Sequence, residues 1–211
     1  MRQIALDEKS FAPSIDVLNG KILCGVDNGK IITVNVDGSN KEIHSTTHCN
    51  GEAWGLHVIQ EKGTFLTCAD DNNFFEYSIS EKKLLRSGKI WMSNFYGGKP
   101  YEAAPGKTKT ASTMSTIPTH QQGRAIAHSS KLNHIALSNN FGDIAIIDYN
   151  DWSKRIALLL QPKEWNEVMT YSPCGGYFAA GSHDNAVYVW KIQGEEYTLI
   201  YNTKLTHSSG I

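Results

Sequence analysis

The chain has 211 residues, 20 basic and 21 acidic side chains and a net charge of −1, so no global field draws nucleic acid or anionic lipid. Hydrophobic residues make up 40% and charged residues 19%, an ordinary balance for a globular chain with room for a core. No run approaches the roughly 18 unbroken apolar residues of a membrane span, and Met-Arg-Gln-Ile-Ala-Leu-Asp-Glu-Lys at the start has charge where a secretion signal needs an apolar stretch.

In chain order, Ile15-Asp-Val-Leu, Lys21-Ile-Leu-Cys-Gly, Lys30 to Val36 and Lys41-Glu-Ile-His read as four short strands. Asn19-Gly20 and Asp37-Gly38 are tight-turn dipeptides between them. A second group opens at His48-Cys-Asn-Gly-Glu-Ala-Trp-Gly-Leu and runs through Phe65-Leu-Thr-Cys and Phe74 to Ile79. A third opens at Arg124-Ala-Ile-Ala and a fourth at Asn166-Glu-Val-Met, ending near Tyr201. No segment has the 3.6-residue apolar period of a long helix.

Each group contains one small or apolar run, a polar turn and a β-rich run. Aligned on the residue that opens the second run, the four versions fall at Ile31, Phe74, Ile144 and Val187, with gaps of 43, 70 and 43. A period of about 40–45 residues with antiparallel strand–turn–strand units marks a β-propeller blade. The expectation is an all-β partial propeller of four four-stranded antiparallel blades over about 11–46, 48–86, 123–160 and 164–201, with the start of another at 204–211.

The long middle gap places an insertion at 87–118, rich in Gly, Pro, Ser and Thr and expected to be the least ordered part of the chain. Around it, Arg86, Lys89, Lys99, Lys107 and Lys109 face one acid, Glu102, with Trp91, Phe95, Tyr96 and Tyr101 interleaved. Such a loop suits an acidic partner, and nucleic acid fits the same pattern; a solvated loop is the plainer reading. Gly106-Lys107-Thr108 ends like a phosphate loop, but Tyr101 stands where the earlier Gly is needed. Cys24, Cys49, Cys68 and Cys174 show no Cys-x-x-Cys spacing and read as free thiols.

Two stretches resemble the echinoderm microtubule-associated protein (EMAP-like) group of WD-repeat proteins: His48 to Leu56 followed by Phe65-Leu-Thr-Cys-Ala-Asp-Asp, and Val168-Met-Thr-Tyr-Ser-Pro-Cys-Gly-Gly-Tyr-Phe-Ala-Ala-Gly-Ser-His-Asp-Asn-Ala-Val-Tyr-Val-Trp. His207-Ser208-Ser209 is similar to the opening of a next blade in that family. The resemblance covers about 11–86 and 123–209 and implies consecutive blades of the second of two joined propellers. It also implies a cytoplasmic, cytoskeletal scaffold whose partner is tubulin or the microtubule. At this period a seven-bladed ring needs roughly 300 residues, so the resemblance implies an incomplete ring.

WD repeats bury a His, a Ser or Thr, an Asp and a third-strand aromatic in one network; blade two offers His48, Thr67, Asp70 or Asp71, and Tyr77. A buried imidazole needs both nitrogens satisfied, and a carboxylate holds one. No nucleophile or oxyanion donor accompanies this His and Asp, so no catalytic residue is expected. His44, His48 and Cys49 lack a fourth ligand for zinc, so neither metal nor cofactor is expected. Trp54, Tyr171, Phe178 and Tyr188 have the alternation of inter-blade packing. The resulting expectation is a non-enzymatic interaction propeller without membrane or nucleic-acid partners. The alternative is a WD-repeat scaffold of signalling or RNA-related assembly without tubulin binding. Apolar flanks built from residues such as Trp54, Phe178 and Tyr188 would make the isolated chain self-associate.

Overall fold

The computed structural model describes residues 10–48, 51–90 and 122–204. Blade one is β1 (Ser14–Leu18), β2 (Lys21–Gly25), β3 (Lys30–Asn35) and β4 (Glu42–Thr46). Blade two is β5 (Gly55–Ile59), β6 (Thr64–Cys68), β7 (Asn73–Ser78) and β8 (Lys83–Lys89). Blade three is β9 (Gly123–Ser129), β10 (His134–Asn139), β11 (Ile144–Asp148) and β12 (Arg155–Leu159). Blade four is β13 (Asn166–Tyr171), β14 (Tyr177–Ser182), β15 (Ala186–Gln193) and β16 (Glu196–Lys204). Each sheet pairs its strands in sequence order and antiparallel, and the described residues contain no α-helix.

The repeat is fixed by one turn. Gly29, Asn72, Gly142 and Asn185 occupy the same aligned position and all have positive φ, at 72°, 64°, 88° and 63°. Only Gly enters that region freely and Asn tolerates it, so the polar turn between the second and third strands can be built from few residues. In each blade that residue's N–H donates to the carbonyl three residues back, on Val26, Ala69, Asn139 and Ser182. The turn then sets the register: Gly25 faces Ile31, Cys68 faces Phe74, Ser138 faces Ile144 and Gly181 faces Val187.

Inner strands β1, β5, β9 and β13 lie side by side in order, and the core sits between the blades. Blades one and two enclose Leu18, Leu23, Ile31, Val58, Phe65 and Tyr77. Blades two and three enclose Leu66, Phe74, Ile126, Ile135, Ile147 and Tyr149. Blades three and four enclose Ile144, Ile146, Met169, Phe178, Tyr188 and Trp190. At about 25 cal/mol per Å² of apolar area, this burial between sheets is what holds the arc together.

The fourth strand of blade two runs through Ser87, Gly88 and Lys89, so the excursion starts later than residue 87. Ser-Gly reads as linker, yet Gly88 is there for contact: a Cβ on it would stand 2.3 Å from the Phe74 ring. The rest of the insertion, with its expected disorder, lies outside the described residues. Among the described residues Cys24, Cys68 and Cys174 are free thiols.

Candidate functional site

His48 stands just before the approach to β5, and its ring is buried. Asp71 can only accept, so His48 Nδ1 donates to its Oδ1 at 2.9 Å, which leaves Nε2 for the Thr67 hydroxyl at 3.3 Å. The same Asp71 oxygen takes the Asn73 backbone N–H at 3.1 Å. Burial alone would push the Asp71 carboxyl up; the hydrogen bond and charge of His48, with Asn73, outweigh it and hold the group below its usual value. Both ring nitrogens are therefore committed to the fold.

Two of the expected partners are placed elsewhere. The ring against His48 is Phe75, 4.9 Å between centroids, rather than Tyr77. Residues 75 and 77 share a face, but 77 is about 7 Å further from the turn. Tyr77 instead stacks on Phe65 and meets the edge of His44, and His44 Nε2 bonds the Ile79 carbonyl at 3.2 Å. Asp70 points away from His48: its Oδ2 accepts the Glu52 backbone N–H at 3.2 Å, and Oδ1 lies 3.3 Å from Arg124 Nη1.

Blade four solves the same turn with another group. Asp184 aligns with Asp71 and Tyr188 with Phe75. The Tyr188 hydroxyl donates to Asp184 Oδ2 at 2.7 Å, and the Ala186 N–H to Oδ1 at 3.1 Å. Ala180 stands where blade two has Thr67, directly across from Tyr188.

Arg86, placed by sequence with a basic partner loop, belongs to the core between blades two and three. Its Nε and Nη2 donate to Glu76 Oε2 at 2.8 and 2.5 Å, and Nη1 donates to the Tyr149 carbonyl at 2.6 Å. The guanidinium also lies 4.4 Å from both the Tyr149 and Trp152 ring centroids. Glu76 is buried and further accepts the Thr64 and Tyr149 hydroxyls at 2.9 and 2.5 Å. A cation with that many partners is not free for a ligand. Lys89 ends β8, while Lys99, Lys107 and Lys109 lie outside the described residues. Sequence reasoning missed this cluster because Glu76 and Tyr149 are 73 residues apart.

Trp54 does pack between blades, though against a cation: it precedes β5 of blade two, and the Arg124 guanidinium of blade three covers its ring at 4.5 Å. Phe178 and Tyr188 are buried between blades three and four rather than on a flank. The outward faces expose other residues: Ile15 and Val17 on blade one, and Val168, Tyr177 and Tyr201 on blade four.

Four-stranded meanders with inner strands abreast, apolar cores between sheets and a shared carboxylate-held turn define a partial WD-repeat β-propeller. Comparison with known proteins agrees. A ciliary WD repeat-containing protein of Euplotoides octocarinatus is 32% identical over 187 residues, 88% of this chain and 25% of that protein. The 77 kDa echinoderm microtubule-associated proteins of Strongylocentrotus purpuratus and Lytechinus variegatus are each 23% identical over 71% of this chain and 18% of their own length. The chain thus spans a quarter or less of these relatives. No family model matches it. These similarities support an EMAP-like WD-repeat family for the chain.

Proposed function

We propose that this chain is the protein-interaction propeller of a microtubule-associated scaffold, with tubulin or the microtubule as its partner and the cytoplasmic cytoskeleton as its location. The observation that carries this reading is the alignment with ciliary and microtubule-associated WD-repeat proteins over most of the chain. The blades act as a rigid non-enzymatic support: the one buried His–Asp pair of blade two has both imidazole nitrogens occupied. Lys89 with Lys99, Lys107 and Lys109 is proposed to reach acidic partner segments; Arg86 is not part of that set. The near-neutral charge speaks against nucleic acid and membrane surfaces as partners.

The 211-residue chain is also proposed to self-associate. On blade one, Ile15, Cys24, Ile32 and Ile43 form a row across all four strands on the face turned from blade two. On blade four, Ala179, Val189 and Tyr201 form a row across β14, β15 and β16 on the face turned from blade three. The ends of these rows are exposed, Ile15 at 64%, Ile43 at 55% and Tyr201 at 53%, while Cys24 and Ile32 inside the first are buried, and exposed apolar side chains of this kind seek a second apolar surface. Sedimentation at several concentrations tests this, and a compact monomer at high concentration ends it. For the function, imaging the tagged full-length protein in cells is the test. Signal that follows microtubules and disperses when they are depolymerised supports it; signal indifferent to depolymerisation favours a scaffold of another process.

A further inference from the structure

The outward face of blade four has the make-up of a blade contact. Aligned on the repeat, its Ala179, Val187 and Val189 stand where blade two has Leu66, Phe74 and Glu76 and blade three has Ala136, Ile144 and Ile146. Blades two and three bury these residues against the blade that follows, in the apolar clusters around Ile126 and Phe178 and through the Glu76–Tyr149 hydrogen bond. On blade four the same positions are only half-buried, and Val168, Tyr177 and Tyr201 beside them are exposed. Among the described residues no further sheet lies on this side.

A bulge in β16 enlarges the face. Val189 pairs with Tyr201 and Trp190 with Leu199, so Ile200 is the extra residue between them. In an unbroken strand Leu199 and Tyr201 would share a side. With the bulge, Leu199 joins Trp190 towards blade three, and Tyr201 turns to stand beside Val189 on the outward side. On β14 to β16 the charged residues of the outward face are Lys191 and Glu196, both near the β15–β16 turn. The centre of the face is therefore apolar and its charge lies at one end, the distribution of a protein contact with a dry middle and a polar rim.

The other end of the arc is different. On the outward face of blade one the middle residues Cys24, Ile32 and Val34 are each at most 5% exposed, and only the margins, Ile15, Val17 and Ile43, are open. An apolar sheet face is matched by another such face, packed on it at a small angle. Among the described residues the arc offers only these two outward faces, and the middle of blade one is already closed. The surface left to match blade four is blade four of a second copy. A face that meets itself is the isologous contact of a two-fold dimer, the commonest oligomer symmetry.

We propose that two copies of this chain pair through the outward faces of blade four across a two-fold axis, with Val187, Val189 and Tyr201 of each copy at the centre. This rests on the self-association proposed above and deepens it: one face carries the contact, and assembly stops at the dimer because that face is then covered.

Sedimentation equilibrium of the full 211-residue chain over a concentration series tests it. The mass is expected to level off at two chains. A carboxylate placed in the contact has no partner there, so Val189→Glu and Tyr201→Glu should each weaken the dimer at least about tenfold. Ile15→Glu, on the margin of blade one, should leave it unchanged. Tyr201 is exposed in the single chain, so its variant should fold, and an unfolding midpoint equal to wild type separates a lost contact from a lost fold. Equal losses in Ile15→Glu and Tyr201→Glu would mean that blade four meets blade one of the next copy, which overturns the proposal. Species beyond the dimer, or association indifferent to Val189→Glu and Tyr201→Glu, overturn it too while self-association itself stands. A chain that is monomeric at every concentration removes both readings.

Discussion

The contact between blades two and three and that between blades three and four have the same geometry and different chemistry. The first centres on a buried carboxylate: Glu76 held by Arg86, Thr64 and Tyr149, with His57 and His128 facing each other 6.1 Å apart nearby. The second centres on rings: Trp190 packs 5.5 Å from Phe178 and 5.9 Å from Tyr188, with Met169 and Ile146 in the same cluster. The blade geometry dictates only that the two sheets meet and exclude water. An apolar interface tolerates loss in proportion to volume, whereas a charged one fails when a single partner goes.

The largest effect is expected at the ring interface. Trp190 is fully buried, and Trp190→Ala should lower unfolding free energy by about 3–5 kcal/mol in a denaturant titration. At the charged interface, Arg86→Ala should cost about 3 kcal/mol, because it strands the Glu76 carboxylate. The paired change Arg86→Met with Glu76→Gln should recover most of that loss; no recovery would mean the ion pair is worth more than its shape.

Acid should separate the interfaces next. Burial first, then the charges of His57 and Lys62, hold His128 down at about 4, against the opposing pull of Glu61 and Glu76. Burial also holds His57 down. The unfolded chain takes up these protons first, near 6.5, so the stability is whole above that pH and falls as pH drops towards 4. From His128 alone the loss is about 2–3 kcal/mol at most. His128→Gln should flatten unfolding midpoints measured from pH 7 to pH 4; an unchanged slope would place the acid sensitivity elsewhere. The smallest effect is the 3.1 Å hydroxyl pair of Tyr171 and Tyr197 beside the rings. Tyr171→Phe should cost about 1 kcal/mol by thermal unfolding.

The ring interface was legible in the sequence because its logic is local. Phe178, Ala180, Tyr188 and Trp190 alternate along two strands joined by one short turn, and alternation reports a shared face. The turn itself was legible through Asn72, Asn185, Gly29 and Gly142, which are the residues a positive φ admits. The charged interface was not, since Arg86 and Tyr149 meet only after a second sheet packs on the first. Arg86 therefore reads in sequence as one more basic residue of a loop. The same limit put Tyr77 beside His48: composition gives two aromatics on one face of β7, and only the distance from the turn selects Phe75. Trp54 reads as an inter-blade ring from its type, but that its partner is the Arg124 guanidinium of blade three, 70 residues along the chain, is not legible before the sheets pack.

Co-pelleting of the full-length protein with polymerised tubulin at low salt tests the functional reading most directly. Microtubule association predicts that the protein moves into the pellet at micromolar tubulin and returns to the supernatant as salt screens the lysine contacts. Protein that stays in the supernatant at micromolar polymerised tubulin and low salt contradicts it.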